Sequence, residues 1–340
     1  YITNTTMDIA EIEERFASFK PTRKTSTNHQ YGIQISKLTK DLSITDVSGL
    51  LITEPIMEYV KSKSFSSQAN AHNSIMEYLK TYENKDYDET IEYHKKQKDL
   101  CYEVYYNNNK KGIFIGNQAE NVVSYDEMIN YYKQICKIVI SNDYKNNPCV
   151  SPTNGSSSPA RDYLNLRLLV RLYILHPSRN EYATLELISP QEFQKIQYPM
   201  KNYLIYSPKK GSFLSINVYK MMDKYGPKMI LIEDKELKSH IRFHKNKFGY
   251  GHMFLKQNMK PHTNTTLSVL MTHYAKKLIG KSVGSTLIYK ISIAEISKKY
   301  KQALEDEDLD DMSKYKEDLQ KFADTRGHSF SVQQAIYAKE

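Results

Sequence analysis

The stretch FLSINVYKMMDKYGPKMILI, residues 213–232, contains two short apolar runs separated by Lys, Asp, Gly and Pro. A third apolar run, NYLIYS, precedes it at residues 202–207. Runs of this length and composition, bounded by turn residues, are typical of short strands. Much of the remaining chain shows apolar residues at helical spacing. The sequence therefore predicts an α+β fold that is mainly α-helical and holds one small antiparallel sheet.

Helical periodicity is present on both sides of these runs, with apolar residues recurring at spacings of three and four. The helical segments are residues 54–63, 68–83, 89–112, 124–142, 162–176, 267–280, 285–304 and 312–327. One of them begins with Ser124 as N-cap and Glu127 three residues later, which is the pattern of a capping box. We expect a bundle of about four helices within residues 46–145.

The best candidate for a linker is NNPCVSPTNGSSSPA, residues 146–160, because it combines three prolines, a glycine and a run of serines. It separates the helical domain, residues 46–145, from a second domain, residues 161–340. Residues 1–45 are predicted to form an N-terminal arm that contains a basic, polar loop at residues 20–32. The acidic run EDEDLDD at residues 305–311 is predicted to be a solvated loop between helices.

The composition is that of a globular protein with an excess of basic residues. The 340 residues are 40% hydrophobic and 26% charged, with a formal net charge of +9. This excess suits a polyanionic partner, although it does not distinguish DNA from RNA or a membrane surface. The alternative is a basic surface that is simply solvated.

The three cysteines, Cys101, Cys136 and Cys149, have no metal-ligand spacing. They are interpreted as buried or idle thiols in a reducing compartment. With no signal peptide and no long apolar run, the protein is expected to be intracellular and not to span a membrane. Nucleus, viral factory and virion stay open. The sequence shows no P-loop, acidic metal cluster or zinc-finger spacing, so no cofactor or metal is expected.

Four stretches in the second half of the chain contain the candidate functional residues, and their order along the chain is part of the argument. They are YILHPSRNEYATLEL at residues 173–187, the opening stretch at 213–232, GKSVGSTLIYKISIAEIS at 280–297, and DTRGHSFSVQQAIYAKE at 324–340. In the last one, Tyr337 follows His328 by nine residues. Two explanations for this tyrosine are open, an ordinary terminal helix or a nucleophile delivered by that helix.

A helical domain, a flexible linker, a mixed domain with a small sheet and a late tyrosine, in this order, resemble the tyrosine recombinase (phage-integrase-like) family. The resemblance covers most of the chain from about residue 50 onward. The YK…YG pattern between two strands is similar to recombinases of large protist viruses and related mobile elements. The resemblance implies a SAM-like core-binding domain followed by a catalytic domain. It also implies double-stranded DNA as substrate and self-association on DNA as a dimer or tetramer.

The resemblance also implies a catalytic set. Arg179 matches the first arginine, whose planar fork can donate two hydrogen bonds to nonbridging phosphate oxygens. Lys220 matches the lysine that protonates the departing 5′-oxygen, and His328 matches a hydrogen-bond donor to the phosphate. Tyr337 matches the nucleophile that forms a 3′-phosphotyrosine. Without the resemblance, Arg179 could equally be a surface ion pair with Glu181, and Lys220 a solvated lysine.

The third stretch departs from the family pattern. Thr286 stands at the histidine position, where the family is more permissive, and Tyr289 stands where the second arginine belongs. Loss of one such donor typically reduces the rate by on the order of 10²–10³. Lys290 is a poor replacement, because the next residue of a helix points about 100° away.

Three functions stay open on the sequence. The first is a site-specific recombinase or integrase that cuts and rejoins DNA. The second is a DNA-binding or structural protein that keeps the fold without catalysis, which Tyr289 motivates. The third is a topoisomerase that uses the same chemistry to nick one strand.

Overall fold

A computed structural model describes residues 7–110, 114, 117–146, 159–178, 181–208, 211–219, 222–256 and 258–326. By packing, the chain divides into two compact units, Tyr1–Lys111 and Gly112–Glu340. The predicted Arg179, Lys220, His328 and Tyr337 lie outside the described residues.

The described part of the first unit is helical. Its α-helices are α1 (Ile9–Phe19), α2 (Thr25–Asp41), α3 (Thr53–Lys61), α4 (Phe65–Lys80) and α5 (Asp88–Lys110), with short 3₁₀ helices at Val47–Leu51 and Lys85–Tyr87. Helix α1 is capped by the Asp8 side chain, which accepts from the backbone amide of Ala10, and α4 is capped by Ser64. Such caps satisfy amides at the start of a helix that have no partner within it.

The core of the first unit draws on its N-terminal helices as much as on α3 and α4. Phe16 of α1 and Tyr78 of α4 are buried and meet edge to face with ring centroids 5.7 Å apart. The predicted basic loop at 20–32 is wrong for its second half, where α2 begins at Thr25. The physical reason is that Tyr31 of α2 packs against Phe16, at 5.5 Å between ring centroids.

Basic residues of this region also form ion pairs within the first unit. Arg23 forms an ion pair with Glu77 of α4, and Lys20 lies 3.4 Å from the same carboxylate. Glu77 is only 8% exposed. Burial by itself would raise the pKa of Glu77, but Lys80, Lys20 and Arg23 lower it below its ordinary value. Part of the expected basic surface is therefore neutralised.

The second unit is mixed. Its α-helices are α6 (Asn117–Asn121), α7 (Tyr125–Ser141), α8 (Ala160–Leu175), α9 (Pro190–Phe193), α10 (Met222–Tyr225), α11 (Lys235–Phe248), α12 (Asn264–Ile279), α13 (Ser285–Glu305) and α14 (Leu309–Arg326). A 3₁₀ helix lies at Glu181–Thr184. The predicted capping box is confirmed, since Ser124 and Glu127 exchange hydrogen bonds at the start of α7.

The sheet consists of β1 (Glu186–Ile188), β2 (Tyr203–Ser207), β3 (Gly211–Ile216), β4 (Lys228–Ile232) and β5 (Gly251–His252). Among the described residues the strand order is β4-β3-β2-β1-β5. All neighbours are antiparallel except β1 and β2, which run parallel with Leu187 opposite Leu204. The mainly helical α+β prediction is confirmed, but the sheet is mixed rather than antiparallel, because β1 and β2 are joined by a crossover.

The core of the second unit surrounds α8. This helix is buried on nearly all sides, as its run of Leu, Val and Tyr residues predicts. Leu187 of β1 and Leu204 of β2 belong to the same buried core as this helix. Helix α12 ends at Gly280, whose φ of 70° is readily adopted by glycine.

The boundaries of these packing units differ from those of the predicted domains. Residues 8–41 pack with α3 and α4 instead of standing apart as an arm, because α1 and α2 supply four of the nine buried residues of the first core. Helix α7 was assigned to the helical domain, but Met128, Tyr131 and Ile135 are buried in the core of the second unit. The boundary at residues 146–160 stays a prediction about functional domains.

No helix in the described part of the chain is both long and apolar enough to cross a membrane.

Candidate functional site

The first candidate stretch begins where α8 ends. The Tyr182 hydroxyl donates to the backbone carbonyl of His176, and the rings of Tyr173 and Tyr182 lie 5.0 Å apart. Burial raises the pKa of both phenols well above the ordinary range, so both stay neutral. This packing fixes the turn that ends at Ser178, the residue before Arg179.

The second stretch is the β3–β4 connection. Buried Asn202 accepts hydrogen bonds from the backbone amides of Asn217 and Val218, both at 2.8 Å. These contacts fix the exit of β3, two residues before Lys220. At the far end, Lys228 of β4 lies with its Nζ 4.4 Å from the centroid of the Tyr219 ring.

The third stretch opens α13. Thr286, in its first turn, is exposed, whereas Tyr289, one turn later, is fully buried. Lys290 Nζ donates to Gln118 Oε1 over 2.6 Å. This ammonium is therefore directed toward α6, and it does not take the place of an arginine at residue 289.

The fourth stretch begins within the last turn of α14. Arg326, the final residue of this helix, is 5% exposed. Its Nη1 donates to the carbonyl of Ser178 over 2.8 Å, and its Nη2 lies 3.4 Å from Thr286 Oγ1. Its Cζ lies 4.2 Å from the centroid of the Tyr289 ring. In the same turn, the carbonyl of Asp324 accepts a hydrogen bond from Lys228 Nζ.

All four stretches thus meet at the end of α14. The residues that meet there are Ser178 from the first stretch, Lys228 from the second, Thr286 and Tyr289 from the third, and Arg326 from the fourth. The contact between Arg326 and Ser178 joins positions 148 residues apart, so it is a product of tertiary folding. Of the predicted site residues, the structure describes Thr286 and Tyr289 and places one guanidinium against both.

Sequence reasoning missed Arg326 and Lys228, although both lie inside the stretches that had been selected. Arg326 directly precedes the Gly-His-Ser motif, and Lys228 follows the Tyr-Gly-Pro turn. A basic side chain next to each motif was the available signal. What the sequence could not give is the through-space contact of either residue.

A cleft of about 800 Å³ lies beside this meeting point, between the end of α8, β4 and α14. Its walls carry the carboxylates of Glu233, Asp234, Asp318 and Asp324 together with Lys228 and Lys321. With acidic groups in the majority, this cleft does not suit a phosphate backbone.

One group of side chains has the composition of a metal site. The possible ligand atoms of Cys136, Glu236 and His240 lie within 4.8 Å of one another. The surroundings do not fit a divalent cation. Arg171 Nη2 is 3.6 Å from Glu236 Oε2, and His240 Nε2 is hydrogen-bonded to the Tyr132 hydroxyl at 2.8 Å. Burial first, and then neighbouring charges that include the Arg167 guanidinium, lower the pKa of His240 to about 3. We assign no metal here.

Comparisons with known proteins give little further information. No family model matches the chain, and no curated protein matches it. Among solved structures, the chain is similar to the crystal structure of XerA recombinase, with 10% identity and a TM-score of 0.34 over 98% of this chain and 94% of the other. A likeness this low carries no argument about the fold or the activity of this protein.

Proposed function

We propose that this chain is a tyrosine-recombinase-type enzyme that breaks and rejoins double-stranded DNA. The observation that carries the proposal is the meeting of the four stretches at the end of α14. Residues next to Arg179, His328 and the Lys220 connection come together there, although they are far apart in sequence.

In the proposed reaction, the Tyr337 oxygen forms a bond to the scissile phosphorus as its proton passes to solvent. The bond between phosphorus and the 5′-oxygen breaks, and Lys220 donates a proton to that oxygen. Arg179 and His328 donate hydrogen bonds to the nonbridging oxygens while negative charge develops there. The products are a 3′-phosphotyrosyl ester and a free 5′-hydroxyl.

Rejoining is the same step in reverse, with a 5′-hydroxyl as the attacking group. One phosphate ester replaces another, so the reaction needs no nucleotide. If the attacking hydroxyl comes from a second DNA site, the result is recombination or integration. If it comes from the same strand, the result is relaxation of supercoils.

The proposed partners follow from this chemistry. A net charge of +9 suits double-stranded DNA, with an affinity that falls as salt rises. Exchange between two sites requires protomers to associate on DNA as a dimer or tetramer. An intracellular location is part of the proposal.

The test is to trap the covalent intermediate. The protein is incubated with supercoiled plasmid carrying its own genomic flanks and is quenched with detergent. Protein should be attached to DNA 3′ ends, which then resist a 3′-exonuclease. Tyr337→Phe should abolish the adduct, and Tyr315→Phe, on α14, is the matched control. An adduct that persists in Tyr337→Phe, or attachment at 5′ ends, would contradict the proposed nucleophile.

A second candidate is a DNA-binding protein of the same fold without catalysis. Its supporting observation is Tyr289, which is fully buried and packs with Ile293 and Leu319 in a small apolar cluster. A tyrosine packed in this way is suited to stabilising the fold. Salt-sensitive DNA binding without any adduct from the wild-type protein would favour this candidate.

A further inference from the structure

We infer that the outer edge of β4 is a docking site for an extended, basic segment of a partner protein. Among the described residues, β4 is the last strand on its side of the sheet and pairs with β3 alone. In such a strand, the backbone N–H and C=O groups of every second residue point away from the neighbouring strand. Within the described chain, the outward groups of residues 229–231 have no hydrogen-bond partner. This inference goes beyond the proposed function and does not depend on it.

The side chains along this edge are apolar and exposed. Met229 is 54% exposed and Leu231 is 46% exposed, and alternation along a strand places both on the same face of the sheet. Edge strands commonly carry charged residues that prevent pairing with another chain. The one charged residue of β4 is Lys228, at its start. An edge with this composition is suited to pairing with a further strand.

The acidic cleft of about 800 Å³ lies along this edge. Met229, Ile230 and Leu231 form part of one wall, and α14 forms part of another. Lys228 points to the opposite face from Met229, and its Nζ donates to the carbonyl of Asp324 on α14. Helix α14 therefore lies on that side of the edge. A segment paired with β4 would direct alternate side chains toward α14 and toward the face that carries Met229 and Leu231.

The charge of the cleft indicates which segment it suits. Its walls carry four carboxylates and two ammonium groups, whereas the whole chain has a formal net charge of +9. Asp234 is already paired with Arg171. Glu233 and Asp318 form no ion pair with any described residue. Lysine or arginine side chains of a partner would therefore meet uncompensated carboxylates here.

These features together point to recognition by strand addition. Backbone hydrogen bonds to β4 would give affinity, and alternate side chains would give specificity. The favoured segment alternates basic residues, directed toward Asp318 on α14, with apolar residues that cover Met229 and Leu231. Burial of these apolar side chains contributes to binding. A helical segment could not pair with the outward backbone groups of the strand.

The probe is the fluorescein-labelled peptide Lys-Val-Lys-Val-Lys-Val-Lys, titrated with the full chain in the absence of DNA and followed by fluorescence anisotropy. It should bind about tenfold or more tightly than Glu-Val-Glu-Val-Glu-Val-Glu, because the charge of the cleft repels the acidic peptide. Lys-Pro-Lys-Pro-Lys-Pro-Lys has the same charge but is unable to pair as a strand, and should also bind about tenfold or more weakly. Equal binding of the three peptides, or no binding of the first, would overturn the inference.

Two variants test the two walls of the cleft. Leu231→Lys places a charge on the apolar edge, and Asp318→Lys reverses a charge on α14. Each should weaken binding of the Lys-Val peptide by about tenfold. The matched controls are Leu304→Lys and Glu305→Lys at the exposed end of α13, which should bind like wild type. Wild-type affinity in both cleft variants would place the peptide elsewhere and overturn the inference.

Amide hydrogen exchange shows where the peptide binds. At saturation, the outward amides of β4 should exchange about tenfold more slowly, while α12 should be unchanged. Binding without protection of β4 would overturn the inference. Strong protection of these amides before peptide is added would overturn it as well. Protection that rises with protein concentration would assign the edge to a second copy, and protection independent of concentration would assign it to the chain itself. The proposed function stands or falls separately, since no step of this experiment involves DNA.

Discussion

Asn202 and Asn217 join the residues just before β2 to the residues just after β3. Asn202 Oδ1 accepts from the backbone amide of Asn217 over 2.8 Å, and Asn217 Nδ2 donates to the carbonyl of Lys201 over 2.8 Å. Both side chains are at most 5% exposed. Together they fix the point at which the chain leaves β3 toward Lys220.

Asn202→Ala should destabilise the second unit by about 2–4 kcal/mol, because it leaves the buried amide of Asn217 and the partly buried amide of Val218 without their acceptor. Urea unfolding followed by circular dichroism measures this change. Adduct formation should also slow, since the connection carrying Lys220 loses its support. Asn130→Ala, at an exposed position of α7, is the control and should change stability by less than about 0.5 kcal/mol. Equal stability of the two variants would contradict the argument.

Lys228 ties β4 to the end of α14. Its Nζ donates to the Asp324 carbonyl, one of the last carbonyls of the helix, and a cation at this end also suits the helix dipole. Lys228→Met should therefore loosen the turn that holds Arg326. Amide hydrogen exchange in residues 319–326 should become faster by roughly fivefold, corresponding to about 1 kcal/mol. Lys224→Met, an exposed lysine of α10, is the control. Unchanged exchange in Lys228→Met would show that the contact does not hold the turn.

The elements that were predicted are those with a strong local signal. Strands β2, β3 and β4 are apolar runs with turn residues between them, and α7 has both helical spacing and a capping box. Strands β1 and β5, of three and two residues, are too short to show a period. Helix α11 was missed because its buried face includes His240 and His244 where an apolar residue would normally reveal the pattern.

The candidate site could be predicted only in part from the sequence. The stretches that meet were all selected from the sequence, and so were Thr286 and Tyr289. The contacts of Arg326 with Ser178 and Tyr289 could not be found there, because they depend on how α8, α13 and α14 pack.

The first unit should be sensitive to acid because of two buried histidines. His72 and His94 are both fully buried, with their Nδ1 atoms 2.8 Å apart, so one ring donates and the other accepts. Burial lowers the pKa of His72 to about 4, and burial together with the charge of His72 lowers that of His94 to about 3. The unfolded chain takes up protons near pH 6.5, before the folded one does. Stability is therefore fully present above pH 6.5 and is lost as the pH falls toward 4.

At pH 5 the loss should be about 2 kcal/mol for each of these histidines. Urea unfolding at pH 7.5 and pH 5 measures it, compared with the double variant His72→Leu and His94→Leu. That variant removes both partners at once, so neither ring is left without its hydrogen bond. It should lose less stability on acidification than wild type, because it lacks this pair. Buried histidines elsewhere, such as His244, are common to both proteins and do not affect the comparison. If both proteins lose the same amount between the two pH values, the pair is not the source of the acid sensitivity.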